Sequence, residues 1–212
     1  MGLPKFRRTT RCAFCDNKAN SKEHAWSDWA LGRLEKPDYV IAGAVDGQTH
    51  FDPNQKQLRV KCVCIPCNTG WMGKNEEAVL PVAGCLMRDL SMWLDQPQRE
   101  TLARWAVTKA MVWEFVSSKK EPLYSDSQRE ALRLSGMVPA NTFISLARYA
   151  GEDTFSASGR YGFISTPSGR RLRAYVMTFP MAIWSFKSLP SAPISMRRGP
   201  LKSNVSWETL RR

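Results

Sequence analysis

The sequence predicts an α+β protein: a small metal-stapled unit, then helices, then an antiparallel β-sheet. Three observations carry this. Cys12-x-x-Cys15 and Cys64-x-x-Cys67 are matched pairs far apart in the chain. The stretch "QRETLARWAVTKAMVWEFVSS" places Leu102, Trp105, Ala106, Val112, Trp113 and Val116 on one face of a helix. After Pro139 the apolar residues recur at every second position, as in half-buried strands. The organisation expected is a stapled unit over 1–95, helices plus sheet over 96–190 packed on it, and a basic C-terminal tail over 191–212.

The totals set bounds. At 212 residues the chain can bury a substantial core, as one large domain or two small ones. No stretch approaches the ~20 apolar residues that a membrane span needs. The opening "MGLPKFRRTTR" lacks the apolar core of a signal peptide. A reducing cytoplasm is therefore the expected location, where paired cysteines suggest metal before disulfide. Lys+Arg 31 against Asp+Glu 19 gives a net charge of +12, a surplus that attracts polyanions and makes association with nucleic acid fast and salt-dependent. Charge of this kind also serves solubility, so it names a partner class and no activity.

Taken in order, a basic arm (Lys5, Arg7, Arg8, Arg11) leads into the first cysteine pair. "WSDWALGRL" reads as a short helix with Ser27 or Asp28 as its N-cap. From Tyr39 to Val63, β-branched patches broken at Asp46-Gly47 and Asp52-Pro53-Asn54 predict short strands and turns. A helix is expected from Asn68 through Leu94, bent or interrupted near Pro81. The helix described above follows, and its tryptophans read as core because they lie on the apolar stripe. "SDSQREALRLSG" predicts another helix, closed by Gly136. "NTFISLARYA", "GRYGFISTP", "RRLRAYVMTF" and "AIWSFKSL" then predict an antiparallel meander with turns at Gly151 and Pro167-Ser168-Gly169.

A zinc ion needs four ligands, and each Cys-x-x-Cys turn supplies two thiolates at tetrahedral spacing. Cys12, Cys15, Cys64 and Cys67 are therefore assigned to one structural Zn²⁺. Cys62 is the rival ligand, although Cys-x-Cys spacing suits a single tetrahedral site less well. Cys85, in an apolar helical stretch, reads as core. The clip would bring Glu23 and His24 near Asn68. Carboxylate and amide oxygens suit a hard cation such as Mg²⁺ or Mn²⁺, and a neutral imidazole beside it can take a proton from water. The only other histidine, His50, reads as a solvated loop residue that could alternatively touch phosphate or metal. Arg33, Arg59, Lys61 and Lys74 flank the site as phosphate contacts or as ordinary solvated surface.

"CAFC…KEHAW…CVCIPCNTGW" resembles the HNH, or ββα-metal, endonuclease motif in its four-cysteine form. "TLARWAVTKAMVWEF" and "FISLARYAG" resemble the downstream parts of uncharacterised bacterial and phage HNH-like proteins, so the likeness spans most of the chain. The resemblance implies a zinc-stapled ββα-metal unit that hydrolyses phosphodiester bonds in DNA. It implies His24 as general base, with Glu23 and Asn68 holding a catalytic Mg²⁺ or Mn²⁺. Two positions depart from the family pattern. Gln57-Leu58-Arg59-Val60 stands where a central Asn usually orients the histidine, so another group must hold the imidazole. Trp26-Ser27 stands where a proline usually follows. The second reading is a zinc-stapled nucleic-acid-binding protein, accessory or regulatory, with weak turnover or none; RNA as well as DNA fits it. A third is a protein-interaction module that docks through its sheet.

Overall fold

The computed structural model describes residues 10–31, 42–45, 48–51, 59–88, 90, 92–116, 122–140, 142–146, 158–165, 169, 171–178 and 205–209. In chain order the elements begin with β1 (Ser21–His24), α1 (Asp28–Leu31), β2 (Ala42–Val45), β3 (Gln48–Phe51) and β4 (Arg59–Val63). The helical part comprises α2 (Ile65–Cys67), a wide π-type turn (Asn68–Met72), α3 (Gly73–Met87), α4 (Gln96–Trp113) and α5 (Asp126–Ser135). It is followed by β5 (Thr142–Leu146), β6 (Ser158–Ser165), β7 (Arg171–Thr178) and β8 (Val205–Thr209). The architecture is α+β, with helices and small strand pairs. Among the described residues, no helix is long and apolar enough to cross a membrane.

The pair that positions the site is β1 with β4. They run antiparallel, Glu23 opposite Val60 and His24 opposite Arg59, with a bulge between Ser21 and Glu23. Alternation along β4 buries Val60 and Cys62 and turns Arg59 and Lys61 to solvent. Lys22 is exposed and Glu23 buried on β1. One face of the pair therefore meets the core, while Lys22, His24, Arg59 and Lys61 share the other.

The buried face packs on α4 and α5. Phe14, Val60, Cys62, Val63 and Met72 join Val107, Met111, Val112, Phe115 and Leu132 in one apolar cluster. A second cluster, built on Val79, Val82, Ala83, Leu102 and Trp105, fills the space between α3 and α4. α4 is buried nearly all round from Leu102 to Val112, so it is a central helix and not the one-sided stripe the periodicity predicts. Trp105 is core as expected, whereas Trp113 is only half-buried.

Local chemistry explains where these helices begin and end. Asp95 caps α4 in a capping box with Gln98, and Ser125 caps α5 in the same way with Gln128. Gly136 closes α5 at φ 69°, a left-handed conformation that favours glycine, and a Cβ there would meet the Arg104 guanidinium.

Four expectations are corrected. The break in the helix after the second cysteine pair falls at Gly70, and α3 continues without interruption through Pro81 to end at Met87. Pro81 is exposed, and the described residues between Arg88 and α4 are not helical. The four strands after Pro139 do not make a simple antiparallel meander. β6 and β7 form the expected hairpin, but β5 pairs in parallel with β8. The expected tail over 191–212 thus contributes a strand at Val205–Thr209. His50 lies on β3 opposite Gly43, in a strand and not in a loop. Arg33, the turn residues at Asp46-Gly47 and Gly151, and "AIWSFKSL" lie outside the described residues.

Candidate functional site

Two knuckles build the metal centre. In the first, the Cys12 amide donates to Asn17 O at 2.7 Å and the Phe14 amide donates to Cys12 Sγ at 3.5 Å. In the second, Cys64 caps α2, its Sγ accepting from the Cys67 amide at 3.4 Å. The Ala13 amide donates to Cys62 O at 2.8 Å, tying the first knuckle to β4. On this frame the sulfurs of Cys12, Cys15, Cys64 and Cys67 all lie within 4.8 Å of one another.

The donor set fits a metal ion such as zinc. Tetrahedral Zn²⁺ with bonds of about 2.3 Å sets its sulfurs about 3.8 Å apart. Cys15 Sγ lies 3.6 Å from both Cys64 Sγ and Cys67 Sγ. Burial pushes the Cys64 thiol up, but the Cys67 amide and the neighbouring cysteines pull it down to about 7. Burial pushes Cys12 and Cys67 up, so metal binding here releases protons. Cys62 stands apart from the four. It is fully buried, and burial pushes its thiol up, which keeps it a neutral core side chain. Cys85 is half-buried on α3, outside the cluster.

The three residues expected to converge beside this clamp have different partners. Glu23 is buried, and its Oε1 accepts from Lys109 Nζ on α4 at 2.8 Å. Asn68 donates from Nδ2 to Ser21 Oγ at 2.8 Å. His24 is half-buried at the end of β1. Its Nε2 makes no hydrogen bond among the described residues, and Asp28 Oδ2 stands 3.4 Å away. Glu23 and His24 lie on β1 and Asn68 in the helical turn after β4, on either side of the second cysteine pair in the chain. Glu23 and Asn68 each have their own partner, and the Glu23 carboxylate is paired with an ammonium.

That ammonium is a group that the sequence reading left out. Lys109 occupies a core position of α4, fully buried, and its Nζ also lies 2.6 Å from Glu76 Oε1 on α3. Glu76 in turn accepts from Ser27 Oγ at 2.8 Å and from Trp29 Nε1, and Ser27 Oγ accepts from Trp105 Nε1 at 3.2 Å. Burial pushes Lys109 down, but the two carboxylates hold it above its ordinary value. Burial likewise pushes Glu76 up, and Lys109 more than compensates, leaving it below the usual carboxylate range. The signal was present in the sequence: a lysine at position 109 falls on the stripe of Leu102, Trp105, Val112 and Val116, and a buried ammonium requires a buried acid.

Asp28 was also missed as a partner for His24. It sits four residues on, at the start of α1, and supplies a carboxylate beside the imidazole. No family model, curated protein or solved structure matches the chain.

Proposed function

We propose that the chain binds nucleic acid through the outer face of the β1–β4 pair, on a scaffold clamped by a structural zinc ion at Cys12, Cys15, Cys64 and Cys67. The observation that carries this reading is the segregation of charge across the pair. Lys22, Arg59 and Lys61 are exposed on the face that also bears His24, while the one acid of β1, Glu23, is buried behind it and neutralised by Lys109. A phosphate backbone meets three cations and an imidazole there, without a carboxylate of β1 to repel it. The net charge of +12 acts in the same direction at longer range. The antiparallel strands followed by a helix, with cysteine pairs at both ends, support an HNH-type scaffold.

The second reading is an HNH-type endonuclease, and the His24–Asp28 contact favours it. An imidazole backed by a carboxylate is an arrangement that suits a general base taking a proton from an attacking water. The partnering of Glu23 with Lys109 favours binding over metal-dependent turnover. The test is incubation of zinc-loaded protein with plasmid DNA and with RNA, in Mg²⁺, Mn²⁺ or Ni²⁺, alongside a gel shift. Retention without cleavage is expected. Cleavage by the wild type that is lost in His24→Ala makes the endonuclease reading the correct one. Absence of both retention and cleavage removes nucleic acid as the partner.

A further inference from the structure

We infer that the oxygens around Lys109 Nζ form a buried cation site in their own right, and that the lysine ammonium is its resident ion, standing where a divalent metal would otherwise be held. Three oxygens surround the nitrogen: Glu23 Oε1 at 2.8 Å, Glu76 Oε1 at 2.6 Å and the backbone carbonyl of His24 at 3.4 Å. Two carboxylates and a carbonyl are the donor set of a hard cation. An ammonium has three N–H donors, and this cage has three acceptors. All three separations exceed the about 2.0–2.1 Å of Mg²⁺ to oxygen, and those to Glu23 and the His24 carbonyl also exceed the about 2.3–2.6 Å of Ca²⁺.

The surroundings agree with an internal ion. Lys109 is reached from β1, α3 and α4 at once, and its side chain is only 2% exposed. The cage carries two formal negative charges against one positive. Donation from Ser27 and Trp29 to Glu76 spreads the remaining charge. Removing the ammonium while leaving room would expose two buried carboxylates to each other, and a divalent ion would then relieve both. This inference concerns the core behind β1 and not the nucleic-acid face, so the outcome of a DNA-binding experiment leaves it untouched.

The probe is Mn²⁺, followed by its electron paramagnetic resonance signal, with the full zinc-loaded chain. Wild type and Glu23→Gln are expected to leave Mn²⁺ equally free. Lys109→Ala is expected to have a lower Tm that Mn²⁺ raises by about 5 °C, a rise removed by adding Glu23→Gln. Mn²⁺ uptake by the wild type that Glu23→Gln abolishes overturns the inference, as does a folded Lys109→Ala that ignores Mn²⁺. Should Lys109→Ala fail to fold, the wild-type ¹⁵N spectrum decides. A slowly exchanging Lys109 ammonium resonance that Mg²⁺ leaves unchanged supports the resident ion, and its loss or displacement by Mg²⁺ rejects it.

Discussion

Lys109 Nζ lies 2.8 Å from Glu23 Oε1, a contact that joins the centre of α4 to β1 across most of the zinc-stapled unit. It fixes which way the β1–β4 pair faces. With the acid held inward, Lys22, Arg59 and Lys61 of the same two strands are the exposed positions.

This ion-pair group sets a pH window. The Glu76 carboxyl is held below its ordinary 4.5, so its stabilisation is complete above that value and is lost as pH falls through the lower folded value. Lys109 is held above its ordinary 10.5, so its contribution is complete below that value and is lost as pH rises through the folded one. Urea unfolding across pH should therefore show a plateau between two limbs. Glu76→Gln should flatten the acid limb relative to wild type at equal zinc. Lys109→Met should flatten the alkaline limb and lower the plateau by about 3–5 kcal/mol, because it leaves buried charge unpaired.

The metal clamp predicts a sharp division among the cysteines. Metal analysis of zinc-replete protein should give roughly one Zn²⁺ per chain, held by the single set of four ligands. Cys12→Ser and Cys67→Ser should lose the metal and, by circular dichroism, most of the fold, since structural zinc contributes on the order of 10 kcal/mol in small domains. Cys62→Ser should keep the metal while losing about 1–3 kcal/mol for a hydroxyl placed in the apolar core. Loss of zinc from Cys62→Ser alone would put the wrong cysteine outside the site.

The basic face predicts a salt signature. Fluorescence anisotropy with a short duplex should show affinity falling with salt. Replacing Lys22, Arg59 and Lys61 together by Ala should reduce the magnitude of the log–log slope by about 2–3. Arg88→Ala, at the end of α3, should leave the slope alone. An unchanged slope in the triple variant would move the contact surface elsewhere.

A second buried pair is purely structural. Arg129 on α5 reaches Glu114 just beyond the end of α4, donates to Met111 O at 3.1 Å and stacks 4.9 Å from the Phe115 ring centroid. Arg129→Met should cost about 3–5 kcal/mol in urea unfolding, and adding Glu114→Gln should recover part of it by removing the stranded charge.

The legible and illegible parts of this chain divide along a physical line. Spacing in sequence exposed the tetrathiolate, since Cys-x-x-Cys geometry is local and repeats. Gly136 exposed the end of α5, since a glycine just past a helical pattern marks its cap, while the Ser125–Gln128 capping box at its start went unread. Lys109 was hidden because its partners, Glu23 and Glu76, come from other elements, and only packing decides which acid meets it. For the same reason β5 pairs with β8, which no local pattern announces. Asp28 sits in between: its four-residue spacing from His24 was readable, yet the strand end and the short helix had to be placed before that spacing meant contact.

The pairing of His24 with Arg59 brings the two ends of the intervening stretch together, with cysteine pairs on either flank. The excursion between them is tethered at its base whatever its length. Closing a loop twice as long would add only about 0.6 kcal/mol of entropy cost. Beyond Ser27 and Trp29, whose side chains hold Glu76, sequence grafted into that stretch would thus gain new surface at small entropic cost while the anchored base stays as it is.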